Sequence, residues 1–549
     1  MNRQNKIKIS ILAVFLGFGL LSCDSELDLF PQNQYANDNF WTSETNAMLA
    51  LTGVYHGAID FAGTKTAPTD WWDYYGIILF EHASDNAYDR RGDNASYVQI
   101  SNGRLLASNA YIKNFWVGSY KRVTICNNFL ENIGNVEMDE GRKARMIAET
   151  RFVRACQYFY MAQFWESVPL VTTTLSPDEA NVVTKASKSE LINFVITELN
   201  DAVGDLPRYQ DISADESGRA SKQAALAFLG RTYLAEKRYS EAAQVYKQIM
   251  DYGDNIIDPD YASIFIEENE TSAENIFSTK YTGGLAPNSV QQYAYPAILK
   301  GFHLINPTGD LAEEYEFIDG TPFSFDDPRY NSRNLAENRD PRFAYTFMWD
   351  GSDFHGKKYI THPDSASSID IVSYSKQATR TGFGCRKYCD ETYEGTLKFD
   401  YGGDVPIIRY AEVLLSYLEA KLEDGDAITQ SLLDETINKV RGRESVNMPP
   451  VTQTNADLLR PLLRHERRVE LAMEGIRYWD LKRWGIMAEK LNGDVWGAPY
   501  PDSEKYPTVS KKVDEHSRWY VTTREFREGQ DEVWPIPESE TNINPNLLN

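Results

Sequence analysis

The chain has 549 residues, with 56 Lys and Arg against 80 Asp and Glu, a formal net charge of −24, and 13% aromatic residues. That length can bury one large core or several smaller ones. The acid excess excludes a general nucleic-acid binder, which needs clustered cations to neutralise phosphates, and adhesion to an anionic membrane by charge alone. With 25 Phe, 11 Trp and 33 Tyr the chain is too aromatic to be disordered.

The N-terminus is expected to be a processed segment. Arg3, Lys6 and Lys8 precede an uncharged apolar run from Ile9 to Leu21, too short to span about 30 Å of hydrocarbon and therefore a secretory signal. Its end, Leu20-Leu21-Ser22-Cys23, resembles a bacterial lipobox, in which the cysteine thiol is acylated after cleavage. Cys23 is the expected lipid attachment site, and acylation by more than one chain makes anchoring stable. The acidic cluster Asp24-Ser25-Glu26-Leu27-Asp28 resembles the surface-export signal of Bacteroidota lipoproteins. Losing the three cations takes the net charge from −24 to −27. Residues 1–22 are then the signal, and 23–38 a lipidated tether.

Helical periodicity comes next. Ala148, Phe152, Ala155, Phe159 and Ala162 fall three or four apart within a predicted helix over Arg142 to Trp165. Ser187-Lys-Ser-Glu190 is a capping box opening another helix, closed by a turn at Gly204 to Pro207. Gln223 to Gly253 carries Leu229-Gly230, Tyr233, Ala242 and Tyr246 at the spacing of a tetratricopeptide helix pair. Such a pair cannot bury its apolar face alone. Val405 to Asp424 with Ile428 to Arg443 predicts a further helix pair, and Arg460 to Leu491 a helix beyond it. Between 254 and 404 helical periodicity fades, and runs such as Ala344 to Trp349 read as isolated strands or loops. The expected fold is mainly α: a tetratricopeptide-like helix-turn-helix scaffold over 39–253 and 405–549, with a loop-rich, irregular second subdomain over 254–404.

Catalytic signatures are missing. There is no G-x-S-x-G, no P-loop, no H-E-x-x-H and no G-x-G-x-x-G. His465-Glu466-Arg467-Arg468 lacks the second histidine of a zincin, and His355 with His362 reads as a solvated surface pair rather than metal ligands. Arg91-Gly92-Asp93 matches an integrin tripeptide but is explained by a glycine turn between charges. Cys385 and Cys389, about 13 Å apart if that segment is extended, are beyond disulfide reach and read as buried packing residues. No cofactor or metal is expected, and no enzymatic activity.

Aromatic clusters beside amides and carboxylates are how proteins grip glycans in water. Trp71, Trp72, Tyr75, Asp85 and Asn86, with Tyr293 and Tyr295 from the loop region, are the candidate ligand-binding residues. Tyr293, Tyr295, Phe302 and His303 form a weaker second patch. The competing expectation is that Trp71 and Trp72 are core residues.

Seven blocks in order carry a family resemblance: Asn39-Phe40-Trp41 with Ala50 to Tyr55; Arg151, Arg154 and Val168-Pro169; Ala224-Ala225 with Tyr233; Arg339-Asp340-Pro341-Arg342; Arg409, Glu412 and Glu419; Arg464 to Trp484; and Val533-Trp534-Pro535 through Asn546. From about Leu27 to Asn549 the chain resembles the SusD/RagB family of outer-membrane nutrient-binding lipoproteins. The resemblance implies a lipid-anchored protein on the outer face of the outer membrane. It captures oligosaccharide without chemistry and sits as a lid on a SusC-like TonB-dependent transporter. A peptide-capturing RagB-like role and a surface glycosidase are the alternatives. Glu466, Arg467, Arg468 and Glu470 are expected to form a salt-bridged scaffold face.

Overall fold

The computed structural model describes residues 40–57, 70–366, 368–375, 378–395 and 398–548. The signal, Cys23 and the tether lie outside the described residues. The fold is mainly α. In the N-terminal half the helices that build the scaffold and the site are α1 (Glu44–His56), α2 (Tyr74–Ile77), α3 (Ala110–Asn132), α4 (Glu140–Phe164) and α5 (Lys188–Asp205), followed by α6 (Lys222–Ala235) and α7 (Tyr239–Tyr252), with short helices at Ser96–Ser101 and Pro177–Ala180 between them.

Local chemistry sets these ends. The Asp139 side chain accepts from the Arg142 amide to start α4. At α5 the Ser187 hydroxyl accepts from the Glu190 amide while the Glu190 carboxylate accepts from the Ser187 amide, a reciprocal capping box. Helix α7 ends at Gly253, whose φ of 68° is left-handed. The α6–α7 pair closes where Gly230 faces Tyr246: a Cβ there would lie 2.4 Å from the tyrosine ring. Glycine is what lets the ring rest on the α6 backbone.

The C-terminal half departs from the sequence expectation in three places. Val405–Arg409 is a strand rather than the start of a helix, and pairs antiparallel with Asn275–Thr279. Val405, Ile407 and Ile408 are β-branched and Pro406 has no amide hydrogen, so the helix begins only at Tyr410 and runs to Glu423 as α8. The expected helix over Arg460 to Leu491 is divided into α9 (Ala456–Glu470), α10 (Arg477–Trp484) and the short Met487–Lys490. The break falls at Met473 and Gly475, with φ of 67° and 72°. Gly475 is required there, since a Cβ would meet the Ile77 carbonyl at 2.7 Å. The segment over Ile428 to Arg443 likewise splits at Thr436. Residues 342–346 form a helical turn before the short strand Phe347–Met348.

Short antiparallel ladders stitch distant segments. Ala87–Asp89 pairs with Ile305–Pro307, and Asn492–Pro499 with Arg518–Glu525. One buried aromatic cluster runs through the N-terminal helices and the C-terminal segment. Trp71 stacks on Phe115 at 4.0 Å, Tyr160 at 4.8 Å and Phe164 at 5.0 Å, with Trp534 stacked on Phe164 at 4.4 Å. Such pairs contribute about 0.5–1.5 kcal/mol each beyond their buried area.

The second half is held by buried charge. Arg342 pairs with Asp340 and Glu466, Arg409 with Glu274 and Glu474, Arg441 with Glu316 and Glu466, and Arg443 with Glu274 and Glu470. The residues expected to form a scaffold face are therefore interior. Burial alone would raise the Glu470 carboxyl, but Arg443, Arg409 and Arg342 hold it at about 2.

Candidate functional site

The structure separates the predicted ligand residues into two groups. Trp71, Trp72, Asp85, Asn86 and Tyr295 are 2, 3, 5, 1 and 0% exposed and present no face to a ligand from solvent. Trp71 lies in the aromatic stack and donates its indole N–H to Ser119 at 2.9 Å. Trp72 packs edge-on to Phe277 at 5.1 Å, with the Arg122 guanidinium over its ring. Asp85 binds the fork of Arg477 through two 2.8 Å hydrogen bonds, and Asn86 accepts from Arg468 at 2.9 Å. Tyr295 donates to the Asp390 carbonyl at 2.6 Å. These five are scaffold residues, a correction to the expected platform. In the weaker patch, His303 is also interior, 2.9 Å from the Tyr359 hydroxyl.

Tyr75 and Tyr293 are brought together at the surface, both half-buried. Tyr75 sits on α2, which follows directly from the buried Trp71-Trp72, and Tyr293 sits on the helical turn Val290–Ala294. Their rings meet edge to face at 5.3 Å and their hydroxyls are hydrogen-bonded. Tyr74 packs behind both rings, at 4.4 Å and 5.8 Å. Phe302, 40% exposed, extends the row, with its ring 5.6 Å from Tyr293. The result is a row of aromatic edges and faces open to solvent along one side.

Arg91 borders the row on the side of Tyr111. Arg91, with a side chain 45% exposed, donates from Nε and Nη2 to both oxygens of Asp89, at 2.6 to 3.1 Å. Burial would raise the Asp89 carboxyl, but His82 and Arg91 hold it below the usual carboxylate range. His82 itself is pushed down to about 4 by burial. Arg91 is thereby fixed and charge-matched, with the Tyr111 hydroxyl beside it. A fork held this way offers directed N–H donors rather than a loose positive charge. The sequence reading passed over Arg91 as a turn residue, since nothing local shows that Asp89 clamps it toward Tyr111. Of the residues that border the row, Tyr75, Tyr293 and Phe302 were legible from composition, and Arg91 and Tyr111 were not.

Elsewhere, a pocket lined by Phe159, Arg231, Tyr246, Glu412, Trp479 and Arg483 lies against the helix pair. Its cations are already committed: Arg231 to Glu412, Arg467 to Asp480 and Arg483 to Glu419. Among the described residues no group of three or more His, Cys, Asp or Glu is placed to hold a metal ion, and no helix is long and apolar enough to cross a membrane. His362 faces Asp502 at 3.2 Å, while His355 lies against the Tyr295 ring. Cys126, Cys156, Cys385 and Cys389 are free and buried.

This helix-pair scaffold has the architecture of SusD-like proteins. A SusD-like carbohydrate binding protein from Bacteroides fragilis superposes with a TM-score of 0.90 at 50% identity, covering 92% of this chain and 99% of that one. Surface glycan-binding protein A from Bacteroides fluxus shares the fold, with a TM-score of 0.68 at 20% identity over 92% of this chain and 98% of that one. A SusD-like protein from Bacteroides ovatus is 26% identical over 574 aligned residues, covering 99% of this chain and 97% of its own length. The SusD family model matches residues 262–549, and a model described as starch-binding associating with outer membrane matches residues 74–234. The chain belongs to the SusD family.

Proposed function

We propose that this protein is a non-catalytic glycan-binding lipoprotein of the outer membrane. It is anchored through acylated Cys23, faces the cell exterior and passes captured oligosaccharides to a SusC-like TonB-dependent transporter. The observation that carries the reading is the solvent-facing aromatic row of Tyr75, Tyr293 and Phe302 beside the clamped Arg91. Aromatic faces stack on the C–H faces of sugar rings, and an arginine fork donates to their hydroxyls. The 50% identical Bacteroides fragilis structure, described as a carbohydrate binding protein, supports the same ligand class. The platform is thus redrawn from seven predicted residues to Tyr75 and Tyr293, with Phe302 and Arg91 added and buried Tyr111 packed behind Arg91.

A glycan array with the purified protein, followed by isothermal titration of the best glycan, tests this. Tyr293→Ala and Tyr75→Ala should each weaken binding about two- to tenfold, by the loss of about 0.5–1.5 kcal/mol of ring contact. Unchanged affinity in both variants overturns the site, and turnover of any glycan overturns the non-catalytic reading. A Cys23→Ala variant that still fractionates with outer membranes overturns the anchor.

A further inference from the structure

The aromatic row does not stop at Phe302. Phe302 meets Phe399 at 5.7 Å, so a fourth ring continues the line from Tyr75. Buried Gln292 fixes this end by binding three segments at once. Its amide N–H donates to the Lys398 carbonyl at 3.2 Å, its side-chain amide donates to the Lys300 carbonyl at 2.9 Å, and its carbonyl accepts from the Phe302 amide at 2.6 Å. Lys300 and Phe302 are thereby held beside Lys398 and Phe399.

The two lysines differ from cations that meet an acid. Arg91 is matched by Asp89, Lys280 by Asp404 and Arg386 by Glu391. Among the described residues neither Lys300 nor Lys398 forms an ion pair, although the chain carries an excess of acids and a net charge of −24. Among the described residues the ammonium of Lys398 is partnered by an aromatic ring, 4.8 Å from the centroid of buried Tyr295. Lys300 is exposed and takes a left-handed φ of 63°, closing the turn that presents Phe302. Burial and then the Lys300 charge pull the Lys398 ammonium below its usual value, as expected of like charges facing one another without an anion.

Two unmatched ammonium groups at the end of an aromatic row complement a sugar carrying an anionic substituent. We propose that the Lys300, Phe302, Lys398 and Phe399 end of the platform is a subsite for the carboxylate or sulfate ester group of an acidic glycan. This inference rests on the aromatic row being the glycan site, and adds to it the charge of the ligand.

The test compares matched ligands on the full chain by titration calorimetry: oligogalacturonate against its methyl ester, and sulfated against desulfated carrageenan oligosaccharides. The variant is Lys300→Asn with Lys398→Gln, since asparagine tolerates the left-handed backbone at 300. At least one acidic ligand should bind about tenfold more tightly than its neutral counterpart, with the preference lost in the double variant. Binding of that ligand should also weaken with added salt in the native protein and much less in the variant. Preference for the carboxylate pair or for the sulfate pair identifies the substituent. If neutral glycans bind, Tyr293→Ala abolishes that binding, and no acidic ligand is preferred, the charge inference is overturned while the platform stands. If no glycan of either kind binds, both are overturned.

Discussion

Asp85 holds Arg477 through a bidentate pair of 2.8 Å hydrogen bonds across 392 residues of sequence, and Arg468 approaches the same carboxylate at 3.0 Å. All three side chains are interior, so the pair joins the loop after α2 to the start of α10 where water does not compete. Burial opposes ionisation of Asp85, yet the two guanidiniums hold it well below the usual carboxylate range. Asp85→Ala leaves both arginines without this acid and should cost about 3–5 kcal/mol, read as a lower urea midpoint. A loss under 1 kcal/mol would return Asp85 to the list of ligand contacts.

Trp71 and Tyr293 should respond oppositely to the same truncation. Trp71→Ala opens a cavity among stacked rings and should destabilise by about 3–5 kcal/mol. Tyr293→Ala removes a half-exposed ring and should leave the urea midpoint almost unmoved while weakening glycan binding. A comparison of unfolding curves and titrations for the two variants separates core from platform.

Gly230→Ala places a methyl group where the Tyr246 ring already lies, with 2.4 Å available. Overpacking of this kind should cost about 1–3 kcal/mol despite alanine's better helix propensity. Pairing it with Tyr246→Leu should recover part of that loss in a double-mutant cycle.

Glu81 gives stability a pH dependence of known sign. Its carboxylate accepts from the Gly475 amide at 2.7 Å and from Asn86 at 2.9 Å, but burial outweighs these bonds and pushes it up to about 7. Below pH 4.5 the group is protonated folded or unfolded, so its contribution is complete. It is lost as pH rises through about 7, by about 3 kcal/mol. Glu470 and Glu419, both lowered to about 2, act the other way, and their stabilisation is lost as pH falls below about 4.5. Glu81→Gln carries no titrating group at this position, so its melting temperature should differ less between pH 5 and pH 8 than that of the native protein. An unchanged difference would assign the slope to other groups.

In a Cys23→Ala variant the thiols should be silent to Ellman's reagent at pH 8 until the protein unfolds. Cys126 and Cys385 are pushed up to about 12 by burial, and Cys156 and Cys389 are also raised. Four thiols should then react in denaturant, and any fast-reacting thiol in the native protein would contradict their burial.

The scaffold was legible where a local rule decides it. Ser187 and Glu190 close their own capping box, and Gly230 with Tyr246 carry a spacing that only a helix pair uses. The Val405–Arg409 strand was not, because its partner lies near residue 277 and the periodicity of a short apolar run does not distinguish strand from helix. The site divided on burial. Trp71-Trp72-Asp73-Tyr74-Tyr75 reads as one aromatic run, yet its first two rings face the core and its last faces solvent. Asp85 and Asn86 have the composition of sugar contacts, and only the distant Arg468 and Arg477 reveal them as structural. Lys300 and Lys398 carry no local signal, since what sets them apart is that neither meets an acid among the described residues.

Trp534 lies in the stack begun by Trp71, Phe115 and Phe164, and donates its indole N–H to Tyr478 at 3.0 Å. During synthesis, the N-terminal helices therefore wait for a ring that arrives hundreds of residues later. A nascent chain carries an unfinished aromatic surface until nearly all of it has been made.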